Sequence, residues 1–102
     1  MKSHRDFLHN VILVSKRMID DTGKETFDTY FGTVIKTSEH SLLVQKTNGE
    51  TESLPFDANE ELYVPAEEGV YELEDGSRYE NPDYIAEFVV YASEKAWETY
   101  HA

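Results

Sequence analysis

The stretch Phe31-Gly32-Thr33-Val34-Ile35-Lys36, followed after a short break by Leu42-Leu43-Val44-Gln45-Lys46-Thr47-Asn48-Gly49-Glu50, decides the fold. In an extended chain side chains alternate between faces. Phe31, Thr33 and Ile35 then share one face, and Tyr30, Gly32 and Val34 the other. Leu42 and Val44 share a face in the next strand, with Leu43 opposite. Asn-Gly is a strong hairpin signal, because type I′ turns need positive φ at both central residues. Gly32, inside a β-rich run, predicts a bulge or sharp bend, the device that lets a long strand curl.

The same reading extends in both directions. Asp21-Thr22-Gly23-Lys24 and Asp75-Gly76 are further turn signals, each between apolar stretches. A first strand is expected from Asn10 to Ile19, apolar on both faces at its start and hence central and doubly covered. Others are expected over Thr26–Thr37, Ser41–Thr47, Glu50–Leu54, Val70–Glu74 and Tyr84–Tyr91. Residues 57–65 read either as a helical turn capped by Asp57 or as a short strand at Leu62–Val64, bracketed by Pro55 and Pro65. Ser93 can cap a short C-terminal helix with Ala96, Trp97 and Tyr100 on one face, too short to stand alone and so expected to dock or fray. The sum is an all-β, mostly antiparallel fold. It takes the form of a small SH3-like or Sm-like barrel, or half-barrel, of 5–7 strands with a short C-terminal helix. That architecture specifies no activity.

Composition narrows the function. A chain of 102 residues is one domain, residues 1–102, with termini prone to fray as most are. Cys is absent, which removes disulfides, thiol catalysis, zinc ribbons and iron–sulfur sites. No apolar stretch approaches the roughly 20 residues of a membrane span, and the run after Met1-Lys2-Ser3-His4-Arg5-Asp6 is too short for a secretory signal. A cytoplasmic location is the expectation. No Gly-x-Ser-x-Gly elbow, His-Glu-x-x-His motif, EF-hand loop or phosphate-cradling glycine loop occurs. The four His (His4, His9, His40 and His101) are scattered. Paired acids such as Glu60-Glu61 read as a solvated face before they read as catalysts. The expectation is therefore no enzyme, no cofactor and no metal.

Charge says more. Residues 1–46 carry seven Lys/Arg against six acids, net +1; residues 47–102 carry two against fifteen, net −13. Such a field repels nucleic-acid backbone and anionic membranes, so neither is an expected partner. It attracts a basic protein. Thirteen per cent aromatic residues fill a small core and leave some for a surface, and in the acidic half Tyr63, Tyr79 and Tyr91 are the candidates for exposure, with Tyr71 inward. The partner-binding candidates are Glu67, Glu68, Glu72, Glu74, Asp75, Tyr79, Glu80 and Asp83, carboxylates to pair with Lys and Arg and a Tyr as anchor. The competing reading of that acidity is solubility alone.

The segment Pro65-Ala66-Glu67-Glu68-Gly69-Val70-Tyr71-Glu72-Leu73-Glu74-Asp75-Gly76, with Asn81-Pro82-Asp83-Tyr84 after it, resembles small bacterial immunity proteins of polymorphic toxin systems. The likeness lies in Gly-x-Tyr-x-Leu, a tight turn, and Pro-Asp-aromatic before a last strand. It implies a small cytosolic, non-catalytic inhibitor of a basic toxin, a nuclease among the candidates, and assigns no individual residue. The alternative function is an SH3-like structural or assembly module that forms homo-oligomers or joins a larger complex through sheet edges and the Trp97/Tyr100 segment.

Overall fold

A computed structural model describes residues 3–100. After a 3₁₀ turn at His4–Phe7 come eight strands: β1 (Val11–Ile19), β2 (Glu25–Thr37), β3 (Ser41–Lys46), β4 (Thr51–Pro55), β5 (Val64–Pro65), β6 (Val70–Glu72), β7 (Arg78–Glu80) and β8 (Tyr84–Tyr91). A short helix, α1 (Glu94–Tyr100), follows. The fold is all-β with a short C-terminal helix. Six strands form one sheet in the order β4-β3-β2-β1-β8-β5, and β6-β7 is a separate hairpin. The two outer strands of the large sheet have no ladder between them; the Tyr63 hydroxyl, just before β5, spans the gap by donating to Pro55 O of β4 at 2.5 Å.

β1 is central, as its two apolar faces require. It pairs antiparallel with β2 and parallel with β8, with Ile12 opposite Gly32 on one side and Tyr84 on the other. The parallel pairing is a departure from a simple meander, and the chain between β2 and β8 makes room for it. Ile12, Val14, Val34, Leu42 and Val44 face one way and lose essentially all contact with solvent. Phe7, carried in by the 3₁₀ turn, closes that core against Tyr84, Tyr63 and Phe56, with ring centroids 4.8–5.6 Å apart.

Several local expectations need correction. Tyr63 is not exposed but 7% accessible, a core residue whose hydroxyl has found a carbonyl. Tyr71 and Tyr91 are half-buried, Tyr71 donating to Glu67 O; Tyr79 is exposed as expected. The bulge falls between Val34 and Lys36 rather than at Gly32. Gly32 serves close approach instead: a Cβ there would stand 3.0 Å from Val44 Cβ. Residues 57–60 form a turn in which the Asp57 carboxylate accepts from Asn59 N–H, with no helix, and the strand that follows is Val64–Pro65.

The hairpin turns are also not type I′. At Asp20–Lys24, Lys46–Glu50 and Leu73–Ser77 the fourth residue is a glycine at φ of 84–92° that donates back to the first residue's carbonyl. Neither Asn48 nor Asp75 has positive φ. This is the type I turn closed by a left-handed glycine, used by three of the four hairpins; the β2–β3 turn at Ser38–Ser41 has none. Ser93 caps α1, its Oγ accepting from Ala96 N–H while also donating to the Asp21 carboxylate. Ala96 is buried beneath the helix and Trp97 is half-exposed; the side chain of Tyr100 lies outside the described residues.

Candidate functional site: an acidic hairpin over a strand edge

Two groups of carboxylates on this molecule contrast. On the inner face of the sheet, past the apolar core, lie Lys16 of β1, Asp28 and Tyr30 of β2, Lys46 of β3 and Glu52 of β4. Lys16 Nζ lies 2.6 Å from Glu52 and 3.7 Å from Asp28, and Lys46 Nζ lies 4.0 Å from Asp28. The Tyr30 hydroxyl donates to Glu52 at 2.5 Å, and Lys46 sits over the Tyr30 ring at 4.5 Å. Burial works against the Glu52 carboxylate, but hydrogen bonds from Lys16 and Tyr30 and the two lysine charges more than offset it, so its pKa falls below the usual value. Burial, then Glu52, pushes the Tyr30 phenol far up, so it stays a donor at neutral pH. The two cations and two carboxylates balance; this cluster is the polar closure of the core.

The second group sits on the β6–β7 hairpin. Tyr71 of β6 pairs with Tyr79 of β7, and the hairpin meets the sheet through Tyr79, whose ring lies 5.6 Å from that of Phe31. Its base is clamped by Asn81, whose N–H donates to Gly69 O while its side-chain oxygen accepts from Gly69 N–H. Glu72, Glu74, Asp75 and Glu80 are exposed on it, and Glu67 and Glu68 on the approach to it. Among the described residues the hairpin's one ion pair is Arg78 with Glu72, at 3.7 Å and with both side chains more than 60% exposed. The carboxylate of Asp75 accepts from Ser77, which lowers its pKa. The radius of gyration is 14.3 Å, a little above the about 13 Å of a compact chain this size.

Of the residues selected from sequence, Glu72, Glu74 and Asp75 line one groove of about 610 Å³. Glu67, Glu68, Tyr79 and Glu80 belong to the rest of the hairpin and its base. Asp83 plays a structural part instead. Its carboxylate accepts from Val11 N–H at 2.8 Å, tying the start of β8 to the start of β1. Across the groove stand residues that the sequence alone does not single out, Phe27, Asp28 and Thr29 of β2. Phe27 is 66% exposed, the largest such value among the exposed hydrophobics. The available signal was the length of β2, which runs well past the end of β3. Among the described residues no group of three or more His, Asp or Glu is placed to hold a metal ion, and no helix is long and apolar enough to cross a membrane.

Comparison with family models, with curated proteins and with solved structures returns no match.

Proposed function

We propose that this protein is a non-catalytic binding protein of the inhibitor or immunity type, which occludes a basic protein partner with the β6–β7 hairpin. One observation carries the reading. The sheet neutralises its own inner-face carboxylates with Lys16 and Lys46, whereas the hairpin and its base present Glu67, Glu68, Glu72, Glu74, Asp75 and Glu80 with Arg78 as their single cation. Carboxylates left without internal cations are available to Lys and Arg on another molecule, and their field speeds encounter. The partner's substrate-binding cations, those of a nuclease toxin for example, are then filled by side chains that cannot react. Tyr79 and Phe27 supply apolar contact at the margins.

The test is affinity capture from lysate of the source organism, eluted with rising salt, run beside the triple variant Glu72→Lys/Glu74→Lys/Glu80→Lys. The expected result is one basic protein, released by salt, whose association with the variant is slower by about tenfold or more. Salt-resistant retention, or retention that the charge reversal leaves unchanged, overturns the reading.

A further inference from the structure

The groove under the hairpin tip is bounded by a strand edge, not only by side chains. β2 pairs with β1 along Glu25–Thr33, but its ladder with β3 begins only at Gly32. From Glu25 to Phe31 the other edge of β2 has no strand beside it among the described residues. Backbone groups of successive residues point to alternate edges of a strand. Val34 directs both its N–H and its C=O at the β1 side, to Asn10 and His9. With no bulge between Glu25 and Val34 in the β1 register, Tyr30 and Asp28 point the same way, and Phe27 and Thr29 point to the open edge. The groove is lined by Phe27 and Thr29 from one face of β2 and by Asp28 from the other, so it wraps around that edge. Its far wall is Glu72–Asp75.

An open edge is a template for another strand, and native proteins usually blunt it with Lys, Pro or cover. This one carries neither Lys nor Pro between Glu25 and Phe31. We propose that an extended, lysine- or arginine-bearing segment of the partner adds as a strand to β2 at Phe27–Thr29, between that edge and the hairpin tip. Main-chain hydrogen bonds give such a contact its affinity and alternate side chains its specificity. Side chains on one face of the added strand would lie near Phe27 and the tip carboxylates, those on the other near Asp28. A second copy of this chain is the poorer occupant, because its own Asp28 and acidic tip would meet the same charges. The inference rests on the proposed function for the sign of the partner's charge, but not for the strand geometry.

The experiment uses the full chain, ¹⁵N-labelled, and a blocked octapeptide of alternating lysine and valine. A control peptide is N-methylated at its two central residues, which spoils both of its edges. The expected result is that the parent peptide binds and slows exchange of the Phe27 and Thr29 amides by about tenfold or more, and that the control binds at least about tenfold more weakly. Equal binding of both peptides without protection at Phe27 and Thr29 overturns strand addition and leaves the acidic-surface reading standing. Protection that survives Glu72→Lys/Glu74→Lys/Asp75→Lys and 0.5 M salt keeps strand addition and overturns the charge reading. Failure of the parent peptide to bind at millimolar concentration, or protection of the same amides in a peptide-free dimer, overturns the proposal.

Discussion

The carboxylates of the sheet and those of the β6–β7 hairpin keep different company. Glu52 has a lysine ammonium at 2.6 Å and a phenol at 2.5 Å, in a face continuous with the core. The hairpin's acids share one exposed arginine. A two-stranded hairpin has little stability of its own; β6–β7 is closed at its base by the Asn81 clamp on Gly69 and meets the sheet through Tyr79 on Phe31. The difference separates acids neutralised within the sheet from acids left exposed to solvent. It also predicts that substitutions in the two regions break different things.

The largest effect belongs to the sheet. Ile12→Ala, at a fully buried position between β2 and β8, is expected to cost about 3 kcal/mol in denaturant unfolding. A loss below about 1 kcal/mol would mean that the two sides of β1 are not one core. Next is Glu52→Gln, expected to cost about 1–2 kcal/mol at pH 7 by weakening two charge-assisted hydrogen bonds. Because the folded-state pKa of Glu52 is lowered, its contribution is complete above the unfolded value, 4.5, and fades as pH falls through the lower folded value. Wild type and variant should therefore converge in acid; a gap that persists undiminished at pH 2 would detach the effect from ionisation. Smallest in global terms is Tyr79→Ala. It should shift overall stability by about 1 kcal/mol or less, yet raise amide exchange across Val70–Glu80 by about tenfold while leaving β1 and β2 protected. Uniformly faster exchange would show that hairpin and sheet unfold as one unit.

What the sequence disclosed follows the range over which each signal acts. Turns are local, and Gly23, Gly49 and Gly76 mark three of the four hairpins, though the left-handed glycine closes a type I turn and Asn48 and Asp75 keep ordinary φ. The double-faced apolar start of β1 announced a central strand, and Ser93 announced the helix. Alternation tells which face a side chain takes, not which strand lies alongside, so nothing in Tyr84–Tyr91 says that it runs parallel to Val11–Ile19. Tyr63 misled for a related reason: acids on either side of it, from Glu60 to Glu67, suggest a surface, but its neighbour in space is Phe7. The acidic half of the candidate groove was visible as composition. Its other half, Phe27 to Thr29, showed only in the greater length expected of β2 over β3, because whether a strand edge is open depends on where the next strand stops.

The parallel register of β1 and β8 has a consequence for how the chain is made. Val11–Ile19 is synthesised well ahead of Tyr84–Tyr91, with β2 to β7 between them, yet Ile12 and Val14 are buried against both β2 and β8. β1 to β4 can zip up early as successive hairpins, since those contacts are local. The other flank of β1 has no cover until β8 has emerged. The nascent protein therefore carries an apolar strand with an open edge until β8 is made. The seal comes when Asp83 takes the Val11 amide and β8 slides into place.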